Sequence, residues 1–204
     1  SADPCHCTPT KSGNNIQTYW TGTPYAGHVI HNSPAYWEYD LVVPNVNYIY
    51  AGPANAQLTQ YPLCVDTRAT GPIDLITCPR ASIGSADSLG HPILFSYGVT
   101  PSVSANGAGA PDAIVWAISK PDQGMSEGTT PGIFYAFDAT TMRELYGSDV
   151  CPGDAIAPAT KYSVPTVANG FAYVGAQEIH LDGGGHEVNT GLGKFYIFGA
   201  GRTC

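Results

Sequence analysis

Val164-Pro165-Thr166-Val167-Ala168-Asn169-Gly170-Phe171-Ala172-Tyr173-Val174-Gly175-Ala176 is the stretch whose reading decides the architecture. Asn-Gly between two apolar runs is a strong short-range hairpin signal, because a type I′ turn needs positive φ at both central residues. All six residues after the turn are apolar or small, so the strand reads as buried on both faces. The same phrase occurs upstream. Thr100-Pro101-Ser102-Val103-Ser104-Ala105-Asn106-Gly107 leads to Ile114-Val115-Trp116-Ala117-Ile118, and Ser33-Pro34-Ala35-Tyr36-Trp37 leads to Tyr48-Ile49-Tyr50-Ala51-Gly52. Internal repetition implies one supersecondary unit stacked on its own kind.

The three prolines stand 67 and 64 residues apart, more than the ~40–50 residues of common propeller blades, so each unit is expected to carry insertions. Segments 64–92, 119–131, 147–160 and 177–193, rich in Gly, Pro, Asp or Ser, are the candidates. The chain divides into an irregular lead-in over 1–27 and a repeat region over 28–204. Within that region the repeats cover 28–63 (followed by loop 64–97, with one strand near Ile93-Leu94-Phe95), 98–160 and 161–199. No amphipathic helix is evident, and Asn106-Gly107 is expected to form a second tight hairpin. The predicted class is all-β.

Composition agrees with a strand-and-turn protein. Of 204 residues 43% are hydrophobic and only 12% charged, with 24 Gly and 17 Pro, which is not a disordered composition. Sixteen acidic residues against eight basic ones give a net charge of −8, which disfavours nucleic acid and anionic membrane surfaces as partners. No apolar run approaches the ~18 residues of a membrane-spanning helix. Six Cys suit an oxidising compartment, so a secreted or periplasmic location is expected. The start Ser1-Ala2-Asp3-Pro4 is read as a mature chain after signal removal or as a fragment of internal proteolysis.

Phe134-Tyr135-Ala136-Phe137-Asp138-Ala139-Thr140-Thr141-Met142-Arg143-Glu144-Leu145-Tyr146 resembles the repeat of pyrroloquinoline-quinone-like β-propellers. In that repeat a strand is followed by a tight turn that the Asp caps, then by a strand whose closing aromatic packs between blades. Met142 stands where that pattern has Gly, and Tyr146 where it has Trp. His28, His31, Ser33, Pro34, Tyr36 and Trp37, the run Val164 to Gly175, and Lys194-Phe195-Tyr196-Ile197-Phe198-Gly199 are also similar to the carboxyl-terminal blades of a secreted bacterial subgroup of quinoprotein-like propellers. The resemblance implies about three four-stranded antiparallel blades belonging to a larger ring. Propellers close with four to eight blades, so it further implies that another chain or a second copy completes the structure.

Several residues invite chemistry. Cys5-His6-Cys7 has soft ligand atoms, yet no second pair stands nearby to complete a tetrahedral site. Disulfides are the expectation for Cys5, Cys7, Cys64, Cys78, Cys151 and Cys204. Cys64–Cys78 is the nearest non-vicinal pair, and Cys204 is placed to tie the end back to Cys5, Cys7, Cys151 or a partner. His28 and His31 flank a turn and are candidates for ligand or metal binding, or for hydrogen bonding to backbone. His180 and His186 frame three glycines, in either an ion-binding loop or a simple hairpin tip. Tyr19 and Trp20 are candidate surface anchors, whereas Trp116 reads as core. No nucleophile elbow or phosphate loop occurs, and no carboxylate pair proposes acid–base chemistry.

The functional expectation is a secreted, non-catalytic propeller that binds protein or glycan, or serves as an extracellular assembly element, without a cofactor. The alternative that the resemblance implies is a quinone-dependent dehydrogenase, with pyrroloquinoline quinone and calcium and an active centre shared with another chain. Against it, the sequence has no Cys-Cys dipeptide and no Asp-Glu-Asn constellation. A propeller lyase acting on polysaccharide is a third possibility, for which no base is arranged.

Overall fold

The computed structural model of the protein describes residues 32–40, 45–66, 74–75, 82–120, 130–160, 163–181 and 187–199. Those residues are all-β, without helix. Strands β1 (Ala35–Asp40), β2 (Asn45–Ala51), β4 (Thr59–Asp66) and β5 (Asp74–Leu75) form an antiparallel sheet, with β6 (Ile83–Gly84) also on β4. A two-stranded ribbon pairs β3 (Ala56–Gln57) with β7 (Leu94–Phe95). The second sheet is the antiparallel order β11-β10-β9-β8, built from β8 (Ser102–Ser104), β9 (Ile114–Ser119), β10 (Ile133–Asp138) and β11 (Glu144–Gly147). The third is β12-β13-β14, from β12 (Thr166–Ala168), β13 (Phe171–Leu181) and β14 (Glu187–Gly199).

These are blade-like sheets of five, four and three strands, rather than three of four strands each. The described residues close no ring. Each repeated phrase opens its sheet with an antiparallel pair: β1 with β2, β8 with β9, and β12 with β13.

Alternation along β9 explains how the sheets stack. Val115 and Ala117 point one way into a core with Tyr135 and Phe137 of β10 and with Trp37, Tyr48 and Tyr50 of the first sheet. Trp116 and Ile118 point the other way, to Phe134, Ala172 and Val174, between the second and third sheets. The middle sheet is therefore apolar on both faces because it is covered on both. Two donors clamp the first interface. Tyr50 Oη donates to the Ala139 carbonyl at 2.7 Å, and the buried Gln60 Nε2 donates to the same oxygen.

The β10–β11 connection follows its sequence pattern. Asp138 Oδ1 accepts the backbone N–H groups of Thr140 at 2.9 Å and Thr141 at 2.8 Å, and both hydroxyls as well. Burial alone would push the Asp138 carboxyl up, but these hydrogen bonds outweigh it and hold the group below its ordinary value. Met142, where glycine is usual in the similar repeat, has φ 55°, yet its side chain is completely buried in the first core. The backbone strain is offset by the packing of that side chain.

Four expectations are corrected. Asn169-Gly170 forms the tight turn, with φ 53° and 77° between the paired Ala168 and Phe171, but Asn106-Gly107 does not. There β8 and β9 are joined by a longer loop in which Asn106 Nδ2 donates to Asp112 Oδ2 at 2.9 Å and Gly109 N donates to the Glu38 carbonyl at 3.0 Å. That loop lies so close to β1 that a Cβ on Gly109 would sit 2.9 Å from the Tyr39 carbonyl oxygen. Segment 177–193 is not an insertion along its whole length, because β13 and β14 extend into it as a long ladder with Ile179 opposite Asn189. Likewise, part of the loop expected from residue 64 is strand, since β4 runs on to Asp66. Finally, β13 is buried on one face only: Ala172, Val174 and Ala176 are buried, whereas Phe171 is 46% exposed, because among the described residues no sheet covers its outer side.

Two outcomes check this account. Met142→Ala should cost about 2–4 kcal/mol in urea denaturation, through a core cavity at a strained residue. Met142→Gly should cost about 1 kcal/mol less than the alanine variant, because glycine adopts the positive φ freely. Asp138→Ala should destabilise by about 1–2 kcal/mol at neutral pH through loss of charge-assisted hydrogen bonds. A carboxylate whose folded pKa is depressed stabilises above its unfolded pKa. The gap between native and variant protein should therefore narrow as the pH falls below about 4.

Candidate functional site

Between the second and third sheets the packing is complete at one end only. Ile118, Phe134, Ile156, Ala159, Ala172 and Val174 fill the closed end. An open groove of about 1020 Å³ adjoins this cluster, and Phe134 and Ala172 border both.

Register sets the floor of this groove. Ser102 and Ser104 of β8 stand opposite Trp116 and Ile114, and Ala136 of β10 stands opposite both Trp116 and Tyr146. These positions share the face turned to the third sheet. Trp116 lies flat against Phe134, with ring centres 5.5 Å apart and planes 9° apart. Its indole Nε1 donates to Ser104 Oγ at 2.8 Å, which fixes the rotamer. The opposite wall is Val167 of β12, Ala172 of β13, and Tyr196 and Phe198 of β14. Phe198 meets Phe134 at 4.8 Å and Tyr146 at 6.2 Å.

Polar groups line the rim, each tied into the wall. Tyr146 Oη donates to Asp154 Oδ2 at 2.8 Å. Burial, and then that contact with the Asp154 carboxylate, push the Tyr146 phenol well above its ordinary value, so it is neutral across the physiological range. Ala157 N donates to Tyr196 Oη at 2.9 Å, leaving the hydroxyl proton of Tyr196 to donate in turn. Asp112 accepts from Asn106, and both side chains face the groove at its β8–β9 end. The Asn169-Gly170 turn completes the rim. The arrangement offers aromatic contact surface and acceptor oxygens on a rigid frame.

His28, His31, Tyr19 and Trp20 fall outside the described residues, as do Cys5, Cys7, Cys78, Cys204 and His186. Cys64 and His180 are placed on β4 and β13 by backbone. Cys151 is disulfide-bonded. Among the described residues no three His, Cys, Asp or Glu side chains converge as a metal site.

Trp116 read from sequence as core, and it is half core: one face packs on Phe134 while the residue lines the groove. Tyr146, Asp154, Tyr196 and Phe198 were missed as a set. A closing aromatic between blades signalled Tyr146, but nothing in the chain indicated that the neighbouring sheet would stand off from it. Comparison of the chain with protein-family models, with curated proteins and with solved structures gives no match.

Tyr196→Phe should leave the Ala157 N–H without its acceptor and lower stability by about 1 kcal/mol. Thermal unfolding measures it. A variant as stable as the native protein would show that this hydrogen bond does not hold the wall.

Proposed function

We propose that the protein is a non-catalytic binding and assembly element of the extracellular space, whose terminal sheet docks a further β-sheet. One observation carries this reading. The outer face of β12–β14 displays Phe171, Phe195 and Ile197 at 46%, 68% and 60% exposure. Register places them on one side of the sheet with Thr166, Ala168, Tyr173 and Gly175, and with no charged residue among them.

Every other interface between consecutive sheets buries aromatic residues of the same kind. Isolated exposed apolar residues are ordinary, but a contiguous aromatic sheet face marks an interaction surface. Its uncharged character means that two copies of a chain with net charge −8 meet there without placing like charges in contact. The occupant argued for is therefore a second copy, face on face, in the self-complementary manner of a twofold dimer. The disulfide at Cys151 supports an oxidising compartment. The titratable groups of the groove are occupied in structural hydrogen bonds, which supports binding rather than acid–base catalysis.

Sedimentation velocity of the chain at micromolar concentration should show a reversible dimer. Phe195→Asp combined with Ile197→Asp should make it monomeric while its circular dichroism is unchanged. Each buried side chain of this size contributes about 1.5–3 kcal/mol, so the double change should weaken association by about a hundredfold or more. A chain that is monomeric at every concentration reached would overturn the second-copy reading.

A further inference from the structure

We propose that the groove between the second and third sheets, which Asp112 and Asp154 border, binds an organic ammonium cation seated against its aromatic rings.

The lining supplies the argument. Among the described residues, the charged side chains that border it are Asp112 and Asp154, with no Lys, Arg or His. Trp116, Tyr146, Tyr196 and Phe198 border the same space. Aromatic rings carry negative potential on their faces and attract a cation placed over them. The chain already uses this contact internally, where Lys120 Nζ sits 5.3 Å from the centre of the Tyr97 ring. An anion entering the groove would meet two carboxylates and no counter-charge.

An alkylated ammonium also suits the groove better than a bare metal ion. Much of the lining is apolar, with Ile114, Leu145 and Val167 among its residues, and a metal ion would lose hydration there with few oxygen ligands in exchange. The alkyl groups of an organic cation bury favourably on the same surface. Each carboxylate has one oxygen engaged by its neighbour, Asn106 or Tyr146. That anchors its position and leaves the second oxygen as a further acceptor. The rings and the acids are held by strand register and hydrogen bonds, so little ordering is needed on binding.

Choline and its uncharged carbon isostere, in which a tert-butyl group replaces the trimethylammonium, separate charge from shape. Titrated into the full chain and followed by backbone amide chemical shifts, choline should produce saturable shifts at groove residues, with the isostere about tenfold or more weaker. Asp112→Asn and Asp154→Asn retain side-chain shape and a hydrogen-bond acceptor. Each should weaken choline by about threefold or more while leaving the thermal midpoint close to native. Added salt should weaken choline binding and leave that of the isostere unchanged. Equal affinity of the two probes, absence of saturable shifts at the groove, undiminished choline binding in the double Asn variant, or tighter binding of a neutral oligosaccharide would each overturn the proposal. The isostere comparison needs no variant, so it stands even if the substitutions impair folding.

Discussion

A sheet with large apolar side chains on both faces has to be covered twice, and the second sheet of this protein imposes that requirement on everything around it. Val115, Ala117, Tyr135 and Phe137 bury against the first sheet, while Trp116, Ile118 and Phe134 bury against the third. Backbone pairing satisfies the polar groups within each sheet. Apolar burial between sheets, worth roughly 25 cal/mol per Å², sets how the sheets stand relative to one another. The shared carbonyl of Ala139, accepting from Tyr50 and Gln60, ties the first interface at a position where a shift would strand buried donors.

The two interfaces of the middle sheet differ in fit. Against the first sheet, Trp37, Tyr48, Tyr50 and Phe95 interlock with the fully buried Phe137 and Met142. Against the third sheet, Ile118, Phe134, Ala172 and Val174 share a buried cluster, while Trp116, Tyr146 and Phe198 border the groove beside it. This arrangement leaves aromatic rings with one face packed and the rest of their surface toward the groove. The polar residues that rim it are fixed by local hydrogen bonds, so the groove is a built feature of the stack. The outer side of the third sheet repeats the situation, with no sheet opposite it among the described residues.

Much of the fold was legible from short-range chemistry. The Asn169-Gly170 turn, the Asp138 cap and the alternation of β9 all follow from interactions within a few residues, and the structure contains each of them. Identical dipeptides nonetheless diverged. Asn106-Gly107 is followed by Ala108-Gly109-Ala110-Pro111, and docking of Gly109 onto the Glu38 carbonyl draws the loop out of a tight hairpin. Phe171 to Ala176 looked doubly buried because side-chain character cannot reveal that a strand belongs to the last sheet of a stack. Met142 occupies a glycine-like backbone position, and only the core around it explains how a long side chain is tolerated there.

The chain alone determined that it is all-β, that it repeats one phrase that opens a strand pair, and that Asn169-Gly170 is a tight turn, since local backbone preference and side-chain periodicity act over a few residues. Tertiary structure decided which aromatic residues are core and which are surface. It also decided that the groove runs between two sheets and that Asp112 and Asp154 border the same space despite 42 residues of separation. Those outcomes depend on how far one sheet stands from the next. That spacing is set by the combined volumes of side chains from distant segments, which no local stretch of sequence specifies.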